Sequence, residues 1–169
     1  HYQVLIGLDK CFSLKDEQSI WFEKDGDVSL VSNKIDKSSQ TEVKNYAATL
    51  TDHHENLWNT LKNWLDVNFK HENYSVLILH TTQAFGSTTR LEKWNSLPPE
   101  GRLQILKDIF AERSKEELEA ENPKNIVKLQ KKVMASQNEK LLDIITKVTL
   151  FTEADDLETL REKILMKPI

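Results

Sequence analysis

The run Tyr74-Ser75-Val76-Leu77-Ile78-Leu79-His80 constrains this chain more than any other stretch. It is nearly continuous in apolar residues and of strand length, the pattern of a central strand covered on both faces. Ahead of it stands the clearest helix in the sequence. Leu57, Trp58, Leu61, Trp64, Leu65 and Phe69 recur with a period of 3.6, behind Thr51-Asp52-His53-His54-Glu55, where Asp52 reads as the N-cap and Glu55 follows three residues on. Before that helix, residues 40–46 have the look of another strand. A helix between two strands of one sheet predicts a right-handed crossover and parallel pairing. The fold class expected is therefore α/β.

The flanks extend this frame. Tyr2, Val4, Leu5, Leu8, Cys11 and Phe12 fall at helical spacing, which predicts a first helix with Cys11 in its apolar pattern. Gly7 costs that helix propensity and suggests close packing against a neighbour. Ser19 to Glu23 reads as a strand running into Lys24-Asp25-Gly26-Asp27, where Asp-Gly is a hairpin signal. Val28 to Val31 returns, with Val28 and Leu30 on one face and Asp27 and Ser29 on the other. After a polar turn from Ser32 to Ser39, the strand Gln40 to Tyr46 completes a three-stranded meander.

Beyond Pro98-Pro99 the pattern turns helical. Leu103, Leu106, Ile109, Phe110 and Arg113 share one face, Asn122-Pro123 reads as an N-cap with proline at the first position, and helices follow through Ile126–Met134 and Leu141–Ile145. Lys147 to Thr152 suits a last strand, with Asp155 or Asp156 capping a closing helix. At 169 residues the expectation is one domain, with a core over about 1–97 and 147–169 and a helical insertion over about 98–146. A start at His1 rather than Met suggests a piece of a longer polypeptide. No apolar run approaches the ~20 residues that span a bilayer. The lone Cys11 forms no internal disulfide and fits a reducing compartment. The net charge of −4 does not favour nucleic-acid binding overall, so any such contact needs a local basic patch.

The residues that suggest chemistry lie in Gln40-Thr41-Glu42-Val43-Lys44. Positions i and i+2 of a strand share a face, so Glu42 and Lys44 project side by side. If the strand opened by Asp27 is their neighbour, a second carboxylate reaches the same spot. Two acidic oxygen donors beside a lysine can hold a hard divalent cation against a phosphate. The same triplet also suits an exposed ion pair worth about 0–1 kcal/mol.

The order of helix, strand, Asp-Gly-Asp turn, strand, strand with Glu-x-Lys, helix and apolar strand resembles the PD-(D/E)-x-K, restriction-endonuclease-like nucleases of the Mrr-like branch. It is most similar to the double-strand DNA endonuclease domain at the N-terminus of bacterial anti-phage defence effectors. Tyr2-Gln3 matches the pair that opens that family's first helix, Asp27 its metal-binding aspartate, and Glu42-Val43-Lys44 its motif strand, where the family often has Gln at the position of Glu42. The likeness is good over residues 1–50, looser through Trp94-Asn95 and undetectable beyond about 98. The resemblance implies a restriction-endonuclease-like mixed sheet flanked by helices and a Mg²⁺-dependent DNA endonuclease in which Mn²⁺ substitutes. Asp27 and Glu42 would be metal ligands with the Val43 carbonyl, and Lys44 the catalytic lysine. Gln3 would approach the site or bond neighbouring backbone, and Glu23 would add a carboxylate or stay solvated. It further implies double-stranded DNA as substrate, a bacterial cytoplasmic setting, C-terminal sensor domains, and a homo-oligomer, since two cuts need two sites. Two rivals stand beside it: a degenerate nuclease fold that only binds DNA or assembles, and an unrelated α/β interaction module.

Other constellations are weaker. His53 and His54 are adjacent and lack the i, i+4 spacing of a zinc pair. No P-loop, G-x-S-x-G or G-x-G-x-x-G is present. Lys128, Lys131 and Lys132, with Lys124 and Lys140 nearby, either contact phosphate or form a solvated face. The loop from Thr81 to Arg90 either holds DNA through its hydroxyls and Arg90 or is an ordinary polar loop. Trp58 and Trp64 read as core, and Trp21 and Trp94 offer no base-stacking platform.

Overall fold

A computed structural model of the chain describes residues 2–22, 28–32 and 38–167. The Asp25-Gly26 turn, with Glu23 and Asp27, lies outside the described residues. The described elements are α1 (Tyr2–Cys11), β1 (Gln18–Phe22), β2 (Val28–Ser32), β3 (Ser39–Lys44), α2 (Glu55–Trp64), β4 (Val76–Thr81), a 3-10 helix (Arg90–Ser96), α3 (Pro99–Ala111), α4 (Lys115–Glu119), α5 (Asn125–Met134), α6 (Asn138–Lys147), β5 (Val148–Phe151) and α7 (Leu157–Leu165). None of the described helices is long and apolar enough to cross a membrane.

The strands form one five-stranded mixed sheet in the order β1-β2-β3-β4-β5. β1 with β2, and β2 with β3, pair antiparallel, giving the expected meander. β3 and β4 pair in parallel from Ser39↔Val76 to Lys44↔Thr81, as the intervening helix requires. β3 stops at Lys44 rather than Tyr46, because the Tyr46 N–H leaves the ladder and donates to Thr82 Oγ1 at 3.0 Å.

The chain divides into two compact units. The first comprises the described residues of 1–48, 72–84 and 149–169. Its core joins Tyr2 and Ile6 of α1 to Val28, Val43 and Leu160, with Leu5, Ile20 and Ile164 packed against them. α1 carries two competing apolar series, and the structure buries Tyr2 and Ile6 while Val4, Leu8 and Phe12 stay exposed. Cys11, expected in the buried pattern, is exposed on the last turn with them. Gly7 does pack closely: a Cβ there would lie 2.2 Å from the Phe22 ring. Tyr2 Oη donates to the Asp155 carbonyl at 2.5 Å, and burial together with the Asp155 and Asp156 charges pushes its pKa up to about 12. Asp156 caps α7 by accepting from the Thr159 N–H at 2.9 Å.

The second unit comprises residues 49–71 and 85–148. It is helical, and it begins well before the expected boundary at 98, because α2 buries its apolar stripe against α5. Trp58, Trp64 and Trp94 are all fully buried in it, and Trp94 Nε1 donates to the Val148 carbonyl at 3.1 Å. Asp52 is not the cap of α2. His54 is, its Nδ1 accepting from the Asn56 N–H at 3.2 Å. Asp52 is drawn instead to three donors, Thr89 Oγ1 at 2.6 Å, the Arg90 N–H at 2.8 Å and Arg90 Nη1 at 2.8 Å, a charge-assisted set stronger than one cap bond. Likewise α5 starts at Asn125 with Lys124 as N-cap, not at Asn122-Pro123.

Arg102 closes this unit. Its Nε donates to the carbonyls of Trp94 and Leu97, each at 3.0 Å, and its Nη1 to those of Ile145 at 2.9 Å, Thr146 at 3.3 Å and Val148 at 2.9 Å. Most of these are carbonyls that helix ends leave without intrahelical donors. Burial lowers the guanidinium pKa. Replacing Arg102 by Met is expected to destabilise the protein by about 2–4 kcal/mol, since five carbonyls lose a charged donor at once. Arg102→Lys should recover less than half of that in urea denaturation, a lysine being unable to span the same acceptors.

His80, on the α1 side of β4, stacks on Phe151 with ring centroids 4.9 Å apart and tilts against Tyr2 at 6.4 Å. Its Nε2 is buried with no hydrogen-bond partner among the described residues. Burial first, and the Lys10 charge second, push its pKa from 6.5 down to about 4. Between those values the unfolded chain takes up a proton that the folded chain refuses. The stability His80 contributes is therefore complete above pH 6.5 and lost as pH falls towards 4. Melting temperature measured across this window should fall on acidification, and the fall should flatten in His80→Phe.

Candidate metal and phosphate site on β3

The registers decide what each face of the sheet carries. Residues paired across strands share a face, so Val28, Thr41, Val43, Ile78 and His80 point to the α1 side. Ser29, Gln40, Glu42, Lys44, Leu77, Leu79 and Thr81 point to the other. On the α1 side Lys10 Nζ donates to Thr41 Oγ1 at 3.3 Å, and burial lowers the Lys10 pKa. On the opposite side lies a buried polar row: Ser29, Gln40 and Thr81 are wholly inaccessible and Glu42 is 4% exposed. Ser29 Oγ meets Tyr74 Oη at 3.3 Å, and Thr81 Oγ1 donates to Gln83 Oε1 at 3.1 Å.

Within this row Lys44 Nζ donates to Glu42 Oε1 at 2.6 Å. The two side chains expected to project together from β3 do so. Glu42 is nearly buried and Lys44 retains one-fifth of its exposure. The pair is thus held in a partly desolvated place rather than in open water, which separates it from an ordinary surface ion pair. Val43 turns its side chain into the α1 core, so any part it plays at the site is through its main-chain carbonyl.

The remaining expected residues fare differently. Asp27 and Glu23 lie outside the described residues. Gln3 is half-buried on α1, which packs on the Val43 face, and no hydrogen bond joins it to Glu42 or Lys44 among the described residues. The sequence reading also missed Ser29, Tyr74 and Thr81, which line the Glu42 face. Polar residues at 40, 42 and 44 read alike for a solvated and a covered face, so no signal in the sequence marks this face as buried. As oxygen donors, the Glu42 carboxylate and Val43 carbonyl suit a hard cation such as Mg²⁺. No group of three or more His, Cys, Asp or Glu side chains arranged to hold a metal occurs among the described residues.

Two further expectations fall in the helical unit. His53 Nε2 meets Glu112 Oε2 at 2.9 Å, while its Nδ1 faces two donors, Arg113 Nη2 at 3.0 Å and Gln130 Nε2 at 3.1 Å. Nδ1 must therefore accept and Nε2–H donate, leaving no ring nitrogen free to ligate a zinc ion. Arg90 is bound by Asp52 and by Glu112, and the Arg90 hydrogen bond is the main reason Glu112 titrates below the usual range. The loop reading in which Arg90 holds DNA loses its cation to these carboxylates.

No protein-family model matches the chain, and no curated protein matches it. Among solved structures, the backbone is similar to that of the Cap4 SAVED/CARF-domain containing receptor of Moraxella osloensis, with a TM-score of 0.51 and 14% sequence identity. The likeness covers 97% of this chain and 35% of that one, so the chain spans about a third of the protein it matches. At that identity the likeness is one of fold.

The ion pair makes a stability prediction. Lys44→Met leaves the Glu42 carboxylate buried without its partner and should cost about 1–3 kcal/mol. Glu42→Gln combined with Lys44→Met should recover at least half of the loss in chemical denaturation, because no lone charge remains.

Proposed function

We propose that this chain is a metal-dependent DNA endonuclease domain of a bacterial anti-phage defence protein. The observation that carries the reading is the Glu42–Lys44 pair on the middle strand of the sheet, 2.6 Å apart and largely withdrawn from water. Its setting supports it further. Thr41, the residue before Glu42, pairs with Val28, and Val28 directly follows Asp27 in the sequence. Asp27, Glu42 and the Val43 carbonyl would hold Mg²⁺ or Mn²⁺. When bound, such an ion supplies a Lewis acid and lowers the pKa of a coordinated water. Lys44, released from Glu42, would donate to a non-bridging phosphate oxygen and hold the attacking water in line. The similarity in fold to a protein described as a Cap4 SAVED/CARF-domain containing receptor supports the defence setting and the further sensor domains. Two sites acting on opposite strands would make the working form a homo-oligomer.

Plasmid cleavage in Mg²⁺, Mn²⁺ and EDTA tests this. Supercoiled DNA should be nicked and linearised with either ion and untouched in EDTA. Asp27→Asn, Glu42→Gln and Lys44→Met should each lose about 100-fold or more of the rate, assayed well below each variant's melting temperature. DNA binding with no cutting under any ion identifies the degenerate, binding-only fold. Neither binding nor cutting leaves the Glu42–Lys44 pair as a structural ion pair of an interaction module.

A further inference from the structure

α5 differs in charge from every other described helix. α1, α2, α3, α4, α6 and α7 each carry both acidic and basic residues, whereas α5 (Asn-Ile-Val-Lys-Leu-Gln-Lys-Lys-Val-Met) has lysines and no carboxylate. One side of it is buried through Val127, Leu129, Gln130 and Val133. The other exposes Lys128, Lys131 and Lys132, with Lys124 exposed at the N-cap.

Ordinary structural roles account for only part of this. Lys131 Nζ donates to the Leu118 carbonyl at 2.9 Å, and Lys131 and Lys132 in the last turn suit the negative end of the helix dipole. Lys124 sits at the positive end, where a cation is unfavourable, and makes no side-chain cap bond. Lys128 and Lys132 are an i, i+4 pair of like charge, which repels. Lys124, Lys128 and Lys132 are within ion-pair distance of no carboxylate among the described residues. Acids are near: Glu117 senses Lys124, and Asp66 senses Lys132 and Lys140. Lys62 of α2 joins Lys132, Asp66 and Ser136 in lining a cleft of about 200 Å³. The lysines outnumber these acids, which leaves this face of α5 with a net positive charge.

Lys124, Lys128 and Lys132 are spaced by four residues, hence about 6 Å apart along the helix axis. Each strand of duplex DNA carries one phosphate charge per ~3.4 Å of axis, so a lysine row of this length can face more than one phosphate at once. We propose that the exposed lysine stripe of α5 is a sequence-independent contact for the phosphate backbone of duplex DNA, separate from the β3 pair. The identity of the polyanion rests on the nuclease reading; the stripe itself does not.

The test measures binding of this chain to a labelled DNA duplex by fluorescence anisotropy in EDTA, across a salt series. K124Q/K128Q/K132Q is compared with K93Q/K107Q/K115Q, which removes the same charge from exposed lysines elsewhere. Circular dichroism confirms that both variants are folded. The stripe variant should lose roughly 10-fold or more in affinity, and the slope of log K against log salt should fall by about 2–3, with the control much less affected. Equal losses in the two variants, an unchanged stripe variant, or a wild-type chain that binds no duplex would each overturn the proposal. So would competition by polyglutamate as effective as DNA of equal charge, which would assign the stripe to an acidic protein. Salt-dependent binding through the stripe without Mg²⁺-dependent cutting keeps this proposal and removes the nuclease reading. Cutting by a stripe variant that binds like wild type does the reverse.

Discussion

The parallel pairing of β3 with β4 is the constraint from which the rest follows. It runs through six residue pairs, and its register sends Val43 and His80 to one side and Glu42, Lys44 and Thr81 to the other. A slip of one residue would invert both sets, placing a carboxylate and an ammonium among Tyr2, Ile6 and Leu160. The hydrophobic cluster under α1 and α7 thus fixes the register, and the register in turn fixes the position of the ion pair. The candidate site is precise because its opposite face is apolar.

The cost of that arrangement is borne on the Glu42 face. Burying Ser29, Gln40, Glu42 and Thr81 removes water from groups that prefer it. Hydrogen bonds with Tyr74, Lys44 and Gln83 recover part of the loss. A fully apolar row would fold at least as stably. The retention of polar groups in such a place is the physical ground on which the proposal for β3 rests.

How much of this could be read from the sequence varied with the kind of signal. Strand β4 and helix α2 were legible because their apolar patterns are long and undisturbed. The parallel pairing followed from connectivity alone. Failures came where two local signals competed. In α1 the series Tyr2–Ile6 and Val4–Leu8–Phe12 are equally periodic, and only the sheet decides between them, which left Cys11 exposed. Asp52 has every local mark of a cap, yet Thr89 and Arg90, distant in sequence, offer it more donors. The helical unit starts at 49 rather than 98 because the partner of α2 is α5, a contact between residues about 70 apart that no window on the sequence contains. Of the candidate site, the adjacency of Glu42 and Lys44 was legible from strand geometry. Their burial was not, since it depends on what covers the sheet.

The distribution of tryptophan has an optical consequence. Trp58, Trp64 and Trp94 are sealed inside the helical unit, while Trp21 stands about three-fifths exposed on β1 of the other. Blue-shifted emission from the intact protein arises mostly from the helical unit, and quenching by iodide acts mostly on the sheet unit. A chain with phenylalanine at position 21 reports on the helical unit alone, so that loss of each unit's structure is observed separately in one cuvette.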